Sequence, residues 1–413
     1  MYRRVVVTGI GLTLPNIDSL SGFWQCVRDG ISQVSIISGF GAQCPRAIIG
    51  AEIKNIQLPV SLPHKLLRKA DRATKWFVIS AYNALDDSKL NTADENPDRV
   101  GILEGTSGAS SVDYDTLQLY ALQHRSSSKV SPYTLVYGVP GGASGLASYL
   151  LKIHGLSTTI TAGSTSSSMA VGLAYNMIRN QELDVAIVGG AEAPLSPYIL
   201  DLFSRARLLS SCYENPASAM KPFDLCRDGF AFGEGGAAII LESVEHAVER
   251  GARIYAEVKG YSSTTDAYHL TSPDPSGKEL ARAILLAVKN AQLSTSEIDY
   301  INAHGTATPL NDKAETNAIK KALGDQAMRI PISSTKPVFG HLLGACGVVE
   351  FITCILALQY SYVPPTLNLK VPDPVCDLDF VPGTGRNITI RTAMSINCSF
   401  GGRNTALIVA RYR

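Results

Sequence analysis

Residues 300–312, which read YINAHGTATPLND, are the stretch that decides the fold. A short apolar strand pattern runs into His304, and a Gly/Thr loop then leads into a helix predicted over 312–323. A histidine at the carboxyl end of a buried strand, followed by a helix N-terminus, is well placed to meet a ligand. Taken singly, such a histidine is more often structural than catalytic.

Two further segments have the same strand-to-helix pattern. Residues 333–341, SSTKPVFGH, place Lys336 and His341 at a second Gly-flanked turn, so the two histidines predict a convergent pair. Residues 158–169, TTITAGSTSSSM, end a strand in Ala-Gly and begin a helix in a run of hydroxyls. Two interpretations of this run stay open. The hydroxyls can cap free amides, or Ser164 can be a nucleophile presented at the positive end of the helix.

Short β-rich runs alternate with helical patterns along the chain, which predicts an α/β layered fold with buried central strands. Strands are predicted at 4–8, 157–161, 184–189, 237–242, 253–260, 300–302 and 405–410, and helices at 65–89, 165–181, 278–291, 312–323 and after 347. The pattern repeats after about residue 252. We therefore expect two similar units, residues 1–252 with Ser164 and residues 253–413 with the two histidines.

Composition argues against several functional classes. The 413 residues carry 37 basic and 36 acidic side chains, a net charge of +1, which disfavours a nucleic-acid partner. The 8 cysteines are scattered without a CxxC pair, which argues against structural zinc and fits a reducing compartment. The N-terminal run reads as a buried strand, and no run is predicted to span a membrane. We expect a cytoplasmic protein with no metal site and no membrane partner.

In this order, the segments resemble those of the β-ketoacyl-acyl-carrier-protein synthase (ketosynthase) family of the thiolase fold. Further blocks similar to that family are VVVTGIG (5–11), DVAIVGGAEAPLSP (184–197), KPFDLCRDGFAFGEGGAAIILE (221–242), STKPVFGHLLGACGVVE (334–350) and MSINCSFGGRNTALI (394–408). The likeness covers nearly the whole chain. It implies a thiolase-like, duplicated fold of α/β/α/β/α layers.

The resemblance also implies a reaction. In the family, a cysteine takes an acyl chain from an acyl carrier protein as a thioester, and two histidines promote decarboxylation of a malonyl-carrier thioester, whose carbanion condenses with that chain. At the matching positions the histidines are His304 and His341. Lys336 and Glu315 would organise the site. The one implied cofactor is the phosphopantetheine arm of the carrier.

Ser164 occupies the position of the family cysteine, and no cysteine lies near it in the sequence. A helix N-terminus can lower the pKa of a cysteine thiol from about 8.5 until thiolate forms near neutral pH. A serine hydroxyl stays protonated and needs a general base. An acyl-serine would also be an oxyester, less activated than a thioester. Self-sufficient condensation is therefore not expected.

Other departures surround the implied pocket. Ser167 stands where the family has a glycine, and in the closing loop Ser399 replaces a glycine and Arg403 a threonine. The resemblance implies substrate contacts from this loop and from the loop after the first histidine. The implied substrate-binding residues are Phe400, Gly401, Thr306, Thr308 and Arg403, with Phe400 at the gating position.

Three interpretations follow. The first, which we adopt as the prediction, is a subunit similar to the chain-length factors of type II polyketide and aryl-polyene systems, pairing with an active ketosynthase to shape chain elongation in fatty acid or polyketide synthesis. Against it, many such factors lose the first histidine, which this chain keeps. The second is an enzyme that uses Ser164 as an acyltransferase, or His304 and His341 for malonyl decarboxylation. The third is a Cys→Ser variant of a condensing enzyme, which the additional departures disfavour.

The partner surfaces are also predicted. Residues 64–75, HKLLRKADRATK, place Lys65, Arg68, Lys69 and Arg72 on one face of a helix. A solvated helix would look the same, but the resemblance implies that an acidic acyl carrier protein docks here. It also implies a dimer built around 157–161, with 108–140 nearby. The sequence does not separate a homodimer from a heterodimer.

Overall fold

The structure, a computed structural model, describes residues 2–37, 48–108, 122–123, 125–126, 128, 130, 132–137 and 139–413. The predicted interface segment 108–140 therefore lies largely outside the described residues. Within them the strands are β1 (Val5–Thr13), β2 (Ser35–Ile36), β3 (Ile49–Ala51), β4 (Val100–Gly105), β5 (Ser157–Ile160), β6 (Val185–Glu192), β7 (Phe232–Gly233), β8 (Gly235–Ser243), β9 (Ala256–Thr265), β10 (Tyr300–Asn302), β11 (Ile332–Ser333), β12 (Tyr362–Val363), β13 (Arg386–Asn387), β14 (Thr392–Ser399) and β15 (Arg403–Ala410). The α-helices are α1 (Leu20–Asp29), α2 (His64–Leu67), α3 (Arg72–Ser88), α4 (Thr134–Tyr137), α5 (Gly142–Leu151), α6 (Ser166–Arg179), α7 (Pro197–Arg205), α8 (Val244–Glu249), α9 (Lys278–Asn290), α10 (Pro309–Leu323), α11 (Lys336–Phe339) and α12 (Cys346–Tyr360).

Ten of these strands form one mixed sheet in the order β5-β4-β6-β8-β1-β9-β15-β14-β10-β11. The two halves of the sheet have the same pattern. In each half, two parallel pairings at the outer edge are followed by two antiparallel pairings toward the centre, where β1 pairs with β9. The bounds 1–252 and 253–413 of the two units stay a prediction.

The helices form layers around this sheet. Helices α6 and α12 contact each other and strands of both halves, so they are the central layer. Helix α3 packs on the outer face of the first half, and α9 packs on that of the second, with α10 beside it. The predicted α/β/α/β/α layered, thiolase-like fold is confirmed.

The prediction of one continuous helix over 65–89 is wrong. The segment forms two helices, α2 and α3, separated at residues 68–71. The break occurs because Asp71 is the N-cap of α3: its backbone is extended, and its carboxylate accepts the amide of Thr74 at 2.9 Å. An N-cap residue has non-helical dihedral angles, so the chain cannot continue helically through it.

The expectation that no run is long and apolar enough to span a membrane is wrong for one segment. Leu343–Tyr360 is 18 residues long and apolar enough to do so, but 83% of it is buried inside the fold. This burial is that of a core helix, since α12 lies between the two halves of the sheet.

Candidate active site

The candidate active site lies where strands of both halves end. Ser164 follows β5 in the turn before α6, and His304 follows β10. Lys336 opens α11 just after β11, and His341 follows that short helix. The structure brings these four residues together in the interior, and all four are buried. Convergence at the carboxyl ends of strands is the usual position for ligand sites in α/β folds.

The turn that carries Ser164 is fixed by its own hydroxyls. Gly163 has a φ of +62°, a conformation that favours glycine. The Thr165 hydroxyl donates to the carbonyl of Ala162 at 2.7 Å, and the Ser166 hydroxyl accepts the Ala162 amide at 2.8 Å. The capping interpretation therefore describes part of the hydroxyl run. Ser164 differs, because its Oγ lies 3.0 Å from Nε2 of His341.

The two histidines face each other across the site. Their ring centroids are 5.6 Å apart and the rings are nearly perpendicular, at 82°. Burial, together with the nearby charge of Lys336, lowers the pKa of both His304 and His341 well below the ordinary 6.5. Both rings are therefore neutral near pH 7.

Lys336 fixes the tautomer of His304. Its ammonium donates to Nδ1 of His304 at 3.1 Å and forms an ion pair with Glu350. Burial lowers the pKa of Lys336, but Glu350 outweighs this effect and leaves that pKa raised, so the ammonium keeps its charge. Because Nδ1 of His304 accepts a hydrogen bond, the ring proton is on Nε2.

Glu350 was missed in the sequence analysis. The signal was present, because Glu350 is the one charged residue in the mostly apolar helix CGVVEFITCILALQY. A lone carboxylate inside a buried helix requires a partner. Burial raises the pKa of Glu350 while Lys336 opposes that rise.

Glu315 holds the backbone beside His304. Its carboxylate accepts the amides of His304 at 2.6 Å and Gly305 at 2.8 Å. Burial raises the pKa of Glu315 to about 7. Glu315 thus fixes the loop after β10, while Glu350 is the hydrogen-bonded partner of Lys336.

A pocket of about 580 Å³ opens onto Ser164, His304 and His341. Of the five predicted substrate-binding residues, Thr306, Thr308 and Phe400 also line it, whereas Gly401 and Arg403 do not. Arg403 instead donates to the carbonyl of Phe400 at 3.2 Å, and the amide of Gly401 donates to the carbonyl of Leu270 at 2.7 Å. These two residues hold the closing loop rather than forming the pocket wall, which corrects their expected position.

Two cysteines that are distant in sequence lie close to Ser164 in space. The Cys346 thiol donates to the carbonyl of Ser164 at 3.2 Å, and Cys398 lines the pocket. Burial raises the pKa of both thiols far above the ordinary value. Neither is a populated thiolate, so neither replaces the missing nucleophile.

One group of side chains has the composition of a metal site. Ligand atoms of His304, Cys346 and Glu350 lie within 4.8 Å of one another. The ammonium of Lys336 already contacts both His304 and Glu350 there. It supplies the positive charge that this buried cluster requires.

Comparison with known proteins identifies the fold family. Residues 2–247 match the model of the beta-ketoacyl synthase N-terminal domain, and residues 255–370 match that of the C-terminal domain. The chain belongs to the β-ketoacyl synthase family. It is 39% identical to 3-oxoacyl-[acyl-carrier-protein] synthase 2 of Synechocystis over 411 residues, which cover 100% of this chain and 99% of that protein.

Solved members of the β-ketoacyl synthase family have the same fold. One is described as a type II PKS acyl-carrier protein in complex with its ketosynthase, with 32% identity, a TM-score of 0.91 and full coverage of both chains. Another is the ishigamide ketosynthase/chain length factor, with 31% identity, a TM-score of 0.89 and full coverage of both chains. Both comparisons cover the full length of the two chains, so this chain has the fold of solved ketosynthases of its family.

Ser167, a departure from the β-ketoacyl synthase pattern, has a structural partner. Its hydroxyl accepts the amide of Val348 at 3.0 Å, in the first turn of α12. Amides in the first turn of a helix have no intrahelical acceptor. Ser167 therefore caps the neighbouring central helix.

The predicted carrier-docking residues do not form one helical face. Lys65, Arg68 and Lys69 are exposed, and the Lys69 ammonium lies 4.9 Å from the ring centroid of Tyr133. Arg72 lies beyond the break at Asp71 and pairs with the buried carboxylate of Glu234 at 3.0 Å. Its charge is therefore partly compensated by Glu234, and the docking role of the four residues stays a prediction.

Proposed function

We propose that this chain is a ketosynthase-family subunit of type II fatty acid or polyketide synthesis whose own reaction is the decarboxylation of a malonyl-carrier thioester. The observation that carries the proposal is the pair of neutral histidines, 5.6 Å apart, at the wall of the pocket. The phosphopantetheine arm of an acyl carrier protein would deliver the malonyl group. We also propose that the chain is cytoplasmic.

The pair suits the charge that develops in this reaction. As the bond between the carboxylate and the α-carbon breaks, CO₂ leaves and negative charge moves onto the thioester oxygen as an enolate. Nε2–H of His304, with its tautomer fixed by Lys336, can donate to that oxygen beside His341. Preorganised neutral donors stabilise such an oxyanion. A proton from water then adds to the α-carbon, which gives the acetyl thioester.

The site is less suited to nucleophilic attack by Ser164. A serine nucleophile needs His341 to take its proton and a third group to stabilise the imidazolium. Among the described residues, Nδ1 of His341 is buried with no hydrogen-bond partner. Burial and Lys336 also disfavour the charged ring. These observations favour decarboxylation over a serine-dependent acyltransferase.

A second candidate function is a chain-length-factor-like role. The observation that favours it is Ser164 in place of cysteine, together with similarity to the ishigamide ketosynthase/chain length factor. In this case the chain would form a heterodimer with a ketosynthase that carries the cysteine and holds the growing acyl group. Decarboxylation at His304 and His341 is compatible with that assembly.

The proposed reaction is tested by incubating the chain with malonyl-carrier protein and measuring CO₂ release and acetyl-carrier formation by mass spectrometry. We expect His304→Ala or His341→Ala to slow turnover by about 100- to 1,000-fold, the typical cost of removing an oxyanion donor. His154→Ala, at an exposed histidine that does not line the pocket, is the matched control. Wild-type turnover no faster than that of the two variants would refute the reaction and leave a silent scaffold.

Carrier docking gives a separate prediction. Arg68→Glu combined with Lys69→Glu should weaken binding of an acidic acyl carrier protein by about tenfold at low ionic strength, and by less at high ionic strength because salt screens exposed charges. The measurement is fluorescence anisotropy with labelled carrier. Lys89→Glu, at the far end of α3, is the control. Equal affinities for the double variant and the wild type would place docking elsewhere.

A further inference from the structure

A chain of hydrogen bonds runs from His304 into the hydroxyl run of α6. Lys336 links Nδ1 of His304 to one oxygen of Glu350. The other oxygen of Glu350 accepts a hydrogen bond from Nδ2 of Asn397 at 2.5 Å. Oδ1 of Asn397 in turn accepts a hydrogen bond from the Ser168 hydroxyl at 2.5 Å. The chain therefore joins α6, β14, α12 and the start of α11 through side chains alone.

The hydrogen bonds of Asn397 to Ser168 and Glu350 together fix the orientation of its amide. The Ser168 hydroxyl donates to the carbonyl oxygen of the amide, so the NH₂ group must face Glu350. Asn397 is fully buried, so water does not compete for either contact. Gly347 makes the close approach possible, because a Cβ there would lie only 2.0 Å from Oγ of Ser168.

We propose that Asn397, anchored by Ser168, is a positioning residue that holds Glu350 and Lys336 so that His304 keeps its Nε2–H donor. This inference rests on the proposed decarboxylation, in which that donor meets the developing enolate. Neither Asn397 nor Ser168 touches the pocket wall, so both would act through other residues.

The physical argument concerns the carboxylate of Glu350. Burial already raises the pKa of Glu350, and the hydrogen bond from Asn397 lowers it. Without Asn397, one buried oxygen of Glu350 would lose its hydrogen-bond donor. The protonated form of Glu350 would then become more stable relative to the carboxylate. Lys336 would then lose the counter-ion that stabilises its ammonium beside His304. A weakened Lys336–His304 contact frees the ring to place its proton on Nδ1, which removes the donor at Nε2.

Two variants of the full chain test this inference. Asn397→Leu removes the amide at similar volume, and Ser168→Ala removes only its anchor. Both should lower malonyl-carrier turnover, by about 10- to 100-fold for Asn397→Leu, and both should move the ¹⁵N shifts of His304 toward the Nδ1–H tautomer. The control is Ser262→Ala, at a buried serine outside this chain of hydrogen bonds, whose hydroxyl donates to the backbone carbonyl of Ala283.

The outcomes are separable. Folded Asn397→Leu with the wild-type tautomer and turnover would overturn the inference, and Ser168→Ala decides it in the same way if Asn397→Leu fails to fold. A shifted tautomer in the variants of a chain whose wild type releases no CO₂ would support the positioning role and refute the proposed reaction. A loss of turnover matched by Ser262→Ala, with no tautomer shift, would mean a general loss of stability and would also overturn the inference.

Discussion

Ser164→Cys is expected to convert a site that resists acylation into one that forms a thioester with acyl-carrier protein. Position 164 lies two residues before α6 begins, and its side-chain oxygen is 3.0 Å from Nε2 of His341. A helix N-terminus lowers the pKa of a thiol, and thiolate attacks a thioester without needing a strong general base. We expect acylation at least about 100-fold faster than in the wild type.

Intact-protein mass spectrometry after incubation with acyl-carrier thioester measures this gain. Ser166→Cys is the matched control, because Ser166 is a buried hydroxyl of the same run that bonds only to backbone groups. An acyl adduct on the Ser164→Cys variant alone would show that the serine is what blocks thioester formation. If Ser164→Cys folded normally but stayed unmodified, the block would lie in the pocket geometry, and the argument from thiol chemistry would be wrong.

Most of the fold could be predicted from the sequence, because buried strands and amphipathic helices leave local periodic patterns. Strands β6 and β10 and helices α6 and α9 lie close to their predicted positions. The break before α3 was missed for a local reason. A carboxylate cap at Asp71 competes with helix continuation, and the helical pattern of the basic residues concealed it.

The site was predicted where chemistry and chain position coincide and missed where contacts are long-range. Ser164 and His304 each follow a strand, and His341 lies just beyond β11 and the short helix α11, so their convergence could be expected from the order of elements. The contact between Glu350 and Asn397 joins residues 47 positions apart on different elements, and no pattern in one sequence reveals it. The same holds for the pairing of Arg72 with Glu234.

Lys336→Met is expected to be the most destabilising single change at the site. The ion pair between Lys336 and Glu350 is almost completely buried. Removal of one partner of a buried pair leaves an unpaired charge and costs about 3–5 kcal/mol of unfolding free energy. Turnover should also fall, because His304 loses the contact that fixes its tautomer. Denaturant unfolding and the malonyl-carrier assay measure the two effects.

The double variant Lys336→Met with Glu350→Gln separates stability from chemistry. With no buried charge remaining, most of the lost unfolding free energy should return, since a buried pair can be replaced by neutral groups at little cost. Turnover should not return. In Lys336→Met alone, Lys336 no longer opposes the effect of burial, so the pKa of Glu350 rises further above its unfolded value than in the wild type. The folded variant therefore binds more protons than the folded wild type, and the deficit should grow as pH rises above the wild-type pKa of Glu350. A deficit independent of pH, or turnover restored in the double variant, would show that Lys336 contributes packing rather than charge.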